Sequence, residues 1–366
     1  MPIWWRCGPR PNGTHRWPAG ASATWAKPGP MSRSPTADCT SKMSSTCCAT
    51  DWHNSEPRPM LPLLGEMAEK LRAAWQQRAA RERRRCADCL LLWHRSGGGF
   101  AGRAGPPDVY YTAFALRSLF VLDALTADTV ERTRHWLAQL AVLRPSLADW
   151  LAYAECWYLL AAREPADSPV LSELPRRLRE LAAPAGGYAA APGASPSVYQ
   201  TFLGLCLEQL LGLSSDAAER VGAFLQQHKQ PDGGFVDGPI RKRSGANPTA
   251  AAVLTALRLA PMAAVRVRTL LEGTGAFLLS LAHPRGGFRA HTRAPVADLL
   301  STFTSLYALE ALGVQHTVDI PLTRAFVLRC QRPEGFAAGP WDESADVEYT
   351  FYGLGCLALL DTWERT

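Results

Sequence analysis

The sequence lacks any apolar run close to the roughly 18 residues that a membrane-spanning helix requires, and its opening stretch, MPIWWRCGPRPNG, has no apolar segment of signal-peptide type. A cytoplasmic location is the expectation. A strong charge imbalance is missing too, since the formal net charge is +6 over 366 residues. The one dense basic run, RAARERRRC from Arg78, has helix-forming composition and no interleaved aromatics, so it reads as a solvated helix face rather than a nucleic-acid patch. Cys86-x-x-Cys89 has no second pair at zinc-finger spacing. Without a secretion signal, the ten cysteines read as reduced thiols, mostly buried. What is present is an ordinary globular balance, 47% hydrophobic and 20% charged, in a chain long enough to bury a substantial core.

Residues 1 to about 59 are crowded with Trp, Arg, Pro, Ser, Thr and Cys and follow neither helical nor strand periodicity. Two readings fit: a start codon assigned too early, with Met60 or Met67 the true beginning, or a disordered extension. The expected organisation is therefore 1–59 as such an extension and 60–366 as one folded domain.

From Leu63 onward an internal repeat emerges. Gly-aromatic turns stand at Gly97–Phe100, Gly186–Tyr188, Gly233–Phe235, Gly286–Phe288 and Gly335–Phe336, the last four about fifty residues apart. Shortly after each comes a second element that aligns without gaps: DVYYTAFAL from Asp108, SVYQTFLGL from Ser197, GANPTAAAV from Gly245, DLLSTFTSL from Asp298 and DVEYTFYGL from Asp346. The first place holds Asp, Ser or Gly, residues that start helices, and the fifth is always threonine. The invariant threonine implies a tight helix–helix contact. The apolar residues that follow are too dense for a half-exposed helix, so each copy predicts a helix buried on both sides. A second helix precedes each turn, and LADWLAYAECWYLLAA from Leu147 fits as an eroded copy. About six outer/inner helix hairpins predict an all-α architecture that closes into an α/α toroid, the inner-helix N-termini on one rim of a central cavity.

With FLQQHKQPDGGF, FVLRCQRPEGF and the repeat spacing in view, the chain resembles the αα-toroid superfamily of protein prenyltransferase β-subunits and squalene/terpene cyclases, over about residues 63 to 362. The β-subunit branch is the nearer, through GFAAGPWDESADVEYTFYGLGCLALL and the repeat before it. The Asp-x-Asp-Asp proton donor of the cyclase branch is absent, and WDESAD has the wrong spacing. The transferase branch implies a zinc site of Asp, Cys and His; the matching positions here are Asp298, Leu300 and Tyr349, so two of three ligands are gone. No cofactor is expected, zinc only if another set such as Asp298, Asp346, Glu348 and His291 holds it. The resemblance also implies diphosphate-binding cations, for which Arg289, His291 and Arg293 are candidates, with Arg241, Lys242 and Arg243 one repeat earlier. Tyr110, Tyr111, Tyr199, Phe202, Phe303, Phe351 and Tyr352 are expected to line the cavity for an isoprenoid. Candidate catalytic groups are Asp298, Asp346 and Tyr349.

Three functions follow from the resemblance: an isoprenoid or isoprenoid-diphosphate binding protein of prenyltransferase β type, a non-catalytic toroid, or a metal-independent cyclase or lyase using Asp108, Asp298 or Asp346. If active, the chain is a farnesyl- or geranylgeranyl-transferase type enzyme. A protein substrate or an α-subunit-like partner is open; nucleic acid and a transmembrane segment are not expected.

Overall fold

The computed structural model describes residues 63–140, 146–160, 168–213, 218–240 and 242–365. The expected 1–59 extension and its boundary at 60, and Arg241, lie outside the described residues. Helix α1 (Leu63–Gln76) is followed by six outer/inner pairs: α2 (Ala80–Leu91) and α3 (Val109–Val121), α4 (Ala127–Ala138) and α5 (Leu147–Leu160), α6 (Pro169–Leu181) and α7 (Val198–Leu210), α8 (Ala218–His228) and α9 (Ala246–Leu270), α10 (Thr274–Ser280) and α11 (Leu299–Ala311), α12 (Ile320–Arg329) and α13 (Val347–Arg365). Each inner helix packs on the next, and α13 packs on α3, which closes the ring. The chain is an α/α toroid, and α5 takes the place of the eroded copy. Three two-stranded antiparallel ribbons mark turns: β1 (Tyr188–Ala189) with β2 (Pro196–Ser197), β3 (Phe288–Arg289) with β4 (Ala297–Asp298), and β5 (Gln331–Arg332) with β6 (Gly335–Phe336).

The inner helices start where the first-place residues stand. Asp108, Ser197, Asp298 and Asp346 accept the backbone N–H of Tyr111, Gln200, Ser301 and Tyr349 at 2.9, 3.2, 2.7 and 2.9 Å. The fifth-place threonines are all buried, and each has a further task in hydrogen bonding. The turn aromatic donates its backbone N–H to the threonine hydroxyl at 2.9 to 3.0 Å in all five copies, Phe100 to Thr112, Tyr188 to Thr201, Phe235 to Thr249, Phe288 to Thr302 and Phe336 to Thr350. In four copies the hydroxyl passes its own proton to the carbonyl of the first-place residue, at 2.6 to 2.7 Å. The threonine thereby ties the turn to the first turn of its inner helix. The glycines let the next outer helix settle on this joint: a Cβ on Gly286, at φ +86°, would stand 2.3 Å from the Leu322 carbonyl oxygen.

Thr302→Val keeps the shape and removes the hydroxyl, leaving the buried Phe288 N–H unpaired. Chemical denaturation should register a loss of about 1–3 kcal/mol, whereas Thr302→Ser should cost less than half as much. Equal costs would mean that the methyl packing, not the hydrogen bond, matters.

Helix α1 closes the far end of the ring. Lys70 pairs with Glu310 beside the end of α11 at 2.6 Å, Arg72 with Asp123 just after α3 at 2.8 Å, and Glu66 with Arg258 of α9. The Trp75 indole donates to the Leu354 carbonyl of α13 at 3.0 Å, fully buried beside Leu71. In the basic run, Arg78 stacks on Trp75 and pairs with Asp361, while Arg81, Arg84 and Arg85 are exposed. The six described cysteines are free thiols, four of them buried. No helix among the described residues is long and apolar enough to cross a membrane.

Candidate functional site

The inner helices face one another across the ring, and the side chains they turn toward its axis follow from helical period. With the first-place residue counted as one, the third, seventh and tenth places lie on one face of each inner helix. On α3 these are Tyr110, Phe114 and Arg117, on α7 Tyr199, Leu203 and Cys206, and on α13 Glu348, Tyr352 and Gly355. Tyr199 interacts with Glu348 and Tyr352, although α7 and α13 are not neighbours in the ring, so these side chains face one another across it.

Aromatic rings pack around this axis. Phe114 meets Tyr352 and Phe351 at centroid distances of 5.6 and 5.7 Å, Phe303 meets the same two at 5.6 and 5.4 Å, and Tyr110 meets Phe114 at 5.0 Å. Tyr110, Tyr199 and Tyr349 keep some exposure at the mouth. Burial, and then the nearby Glu348, drive the hydroxyls of Tyr110, Tyr199 and Tyr352 well above the ordinary tyrosine range. They are neutral donors at any physiological pH.

Glu348 is the central polar group. Its carboxyl is 7% exposed, lies 3.3 Å from the Tyr352 hydroxyl, and is pushed up to about 8 by burial and by the Asp346 charge. Burial thus favours its protonated form. Deeper in, Arg117 forms a two-bonded ion pair with Glu155 on α5, its Nε 2.7 Å from one carboxylate oxygen, and its guanidinium lies 4.9 Å from the centroids of Phe114 and Phe351.

The three catalytic candidates are at the mouth. Asp298 caps α11 with one oxygen and accepts the Ser301 hydroxyl at 2.8 Å with the other; burial raises it to about 6 against those hydrogen bonds. Asp346 caps α13 and accepts from Arg103 at 3.0 Å, yet burial leaves it above the ordinary carboxylate range. Tyr349 sits under the Arg103 guanidinium, and burial raises its hydroxyl also. Arg103 donates to Asp342 as well, at 2.6 Å, and so bridges the first turn to the last.

The zinc implied by the resemblance does not fit these side chains. Leu300 is apolar and 6% exposed, Tyr349 is held in its protonated form, and both Asp298 oxygens are engaged by Ser301. The alternative set does not converge: among the described residues no three His, Cys, Asp or Glu side chains gather as a metal site. Asp346 turns to Arg103, Asp298 to Ser301, and Glu348 to the Tyr352 hydroxyl.

The structure brings Tyr110, Tyr199, Phe303, Phe351 and Tyr352 together. Tyr111 turns onto the backbone of Gly102, and Phe202 instead lines a separate cavity of about 220 Å³ between α7 and α9, with Leu254 and Arg258. Arg289 donates to the carbonyls of Ser280, Leu281 and Thr292, so its guanidinium is committed to the end of α10 and its own hairpin. His291 accepts the Arg293 backbone N–H at 3.2 Å, and the Arg293 side chain is exposed on the hairpin. Phe114, Arg117, Glu155 and Arg103 were not among the sequence candidates. Glu348 was one only as a metal ligand, although its alignment with Tyr110 and Tyr199 at the third place was signal enough for a lining role.

Comparison with known proteins bears on the whole assembly. Residues 61–156 and 205–366 match the Prenyltransferase alpha-alpha toroid domain. The protein farnesyltransferase subunit beta of Pisum sativum is 26% identical over 224 residues, 60% of this chain and 51% of the relative, so the chain spans about half that relative's length. Among solved structures, the type II terpene cyclase MstE from Scytonema superposes with a TM-score of 0.52 at 13% identity, over 82% of this chain and 98% of its own. The same cyclase carrying geranylgeranyl dihydroxybenzoate gives 0.51 at 13% identity, over 82% and 99%. A protein from Actinoplanes gives 0.51 at 14%, over 79% and 100%. At such identities the structural likeness speaks to the fold alone.

Proposed function

The chain belongs to the prenyltransferase alpha-alpha toroid family, and from that premise we propose that an isoprenoid chain binds along the axis of the ring against Tyr110, Phe114, Tyr199, Phe303 and Tyr352. The observation that carries this reading is the aromatic set itself, Tyr110, Phe114, Tyr199 and Tyr352 at inward places of α3, α7 and α13, with Phe303 of α11 packed against Tyr352. Apolar burial supplies about 0.8 kcal/mol per methylene, and ring faces suit the π bonds of a polyene. The Scytonema cyclase of the same fold holds a geranylgeranyl compound, which is consistent with such a ligand.

Zinc-thiolate transfer to a cysteine is not part of the proposal, because Leu300 and Tyr349 supply no metal-ligating thiolate or imidazole. A second reading rests on Glu348. A carboxyl kept protonated among aromatic faces is a proton donor to an alkene carbon; the carboxylate left behind takes a proton back from the resulting cation, a net isomerisation. Asp108, Asp298 and Asp346, the earlier candidates, are occupied as helix caps. An α-subunit-like partner and a cytoplasmic location stay within the proposal as readings of the family and of the sequence.

A saturating C15 or C20 isoprenoid, at about a hundredfold over Kd, should add about 2.7 kcal/mol to the stability of the chain. Tyr199→Trp, which adds bulk at the axis of the ring, should abolish the gain. The purified chain should hold no stoichiometric zinc, and Leu300→Cys with Tyr349→His should acquire it at the expense of the Asp298–Ser301 contact. No stabilisation by any such isoprenoid would reject the binding reading; stoichiometric zinc in the parent would reject the metal-free one.

A further inference from the structure

The geometry points to an uncharged isoprenoid with a hydrogen-bonding head group, of the prenyl alcohol type, as the preferred ligand at the axis of the ring, in place of a prenyl diphosphate. This rests on the isoprenoid reading above and specifies its head group.

A diphosphate needs cations or free N–H groups that can turn toward it. The two guanidiniums that act on Glu348 and the tyrosines around it are both spoken for. Arg117 is bound through two nitrogens to Glu155 and flanked by the rings of Phe114 and Phe351 at 4.9 Å each. Arg103 is bound to Asp342 and Asp346 at 2.6 and 3.0 Å. One family-like cation at the rim, Arg289, is held by three carbonyls. Lys242, Arg243 and Arg293 are exposed in the segments that lead into α9 and α11 and form no part of the surroundings of Glu348.

The helix N-termini, usually an anion site, are also consumed. Asp108, Ser197, Asp298 and Asp346 accept from their own helices, and Asp237 accepts the Tyr199 N–H at 2.9 Å. The first N–H groups of α7, α9 and α11 donate to the carbonyls of Asp237, Ala290 and Ala338 in the following turns, at 2.8, 2.9 and 2.8 Å.

Carboxyl groups dominate what remains. Glu348, Asp346 and Asp298 point to different partners, yet each raises the Tyr349 hydroxyl by its charge, so acids surround Tyr349 without converging on one point. A diphosphate lowered beside Glu348 would lose its hydration where the two neighbouring guanidiniums, Arg103 and Arg117, are already paired, and would repel whichever carboxyls are ionised. An alcohol carries no charge to desolvate, and it can join the hydrogen bonds already made between the Glu348 carboxyl and the Tyr110 and Tyr352 hydroxyls.

The test is calorimetric titration of the full chain at pH 7 with farnesol and with farnesyl diphosphate, each at low and at high salt. Farnesol should bind at least about tenfold more tightly than the diphosphate, and added salt should narrow the gap by screening the carboxyl groups. Diphosphate binding equal to or tighter than that of farnesol, and weakened by salt, would reveal a cationic site and overturn the inference while leaving the isoprenoid reading intact. Binding of neither ligand would overturn the isoprenoid reading, and this inference with it.

Discussion

Glu348→Gln should make the protein more stable than its parent at pH 9 and leave the two nearly equal at pH 4 to 5. The sign follows from the carboxyl being raised from 4.5 to about 8 in the fold by burial and by Asp346. A group whose folded pKa lies above its unfolded value gives its full stabilisation below the unfolded value, and loses it as pH rises through the folded one. The parent therefore weakens between about pH 4.5 and 8 because a buried carboxylate must form. Glutamine has the shape of the neutral acid and never ionises, so urea unfolding should show a gain on the order of 2–4 kcal/mol for the variant at pH 9. Asp298, raised from 3.8 to about 6, slopes the same way over a lower window and remains in both proteins. In Asp342 and Asp361 burial acts upward, but the hydrogen bonds from Arg103 and from Arg78 and Arg324 prevail and hold them low. Their contribution is lost only as pH falls below the ordinary carboxylate range. A variant as pH-sensitive as the parent would place the Glu348 carboxyl in water.

Arg117→Met should cost about 3–5 kcal/mol, because it strands the Glu155 carboxylate, 6% exposed at its side chain, without its partner. Arg117→Met combined with Glu155→Leu should recover most of that loss, since the pair itself gains little over apolar packing at the same place. Denaturant titrations of the parent, both single variants and the double variant complete the cycle. A double variant as unstable as Arg117→Met alone would mean that the guanidinium acts chiefly through Phe114 and Phe351, which it contacts at 4.9 Å.

The toroid was legible because its rules are local. A glycine turn, an aromatic, a helix-starting residue and a threonine recur at short spacing, and each leaves a mark on one segment of sequence. The threonine was legible as a constraint but not as a mechanism, because its partner is the backbone N–H of a residue twelve to fourteen positions earlier. Contacts that depend on ring closure were not legible. Arg103 meets Asp342 and Asp346 across 239 and 243 residues, and Arg117 meets Glu155 only because α5, in the copy that has lost its threonine to Trp150, still stands next to α3. For the same reason the role of α1 as the floor of the ring was hidden, since its partners are spread over four inner-helix elements. Within the site, the aromatic lining could be read from the aligned repeats, and Glu348 stood in the same column as Tyr110 and Tyr199. What that column could not convey is the burial that raises the Glu348 carboxyl.

The central claim is that an isoprenoid lies inside the ring. Photolabelling with a farnesol analogue carrying a diazirine on its prenyl chain, followed by peptide mapping, tests it most directly. The expected result is label on inward places of α3, α7 and α13, among them Tyr110, Phe114, Tyr199 and Tyr352, and on Phe303 of α11, which packs against Tyr352, all of it suppressed by excess unlabelled farnesol. Label confined to outer helices, or to the separate cavity lined by Phe202 and Leu254 between α7 and α9, would contradict it.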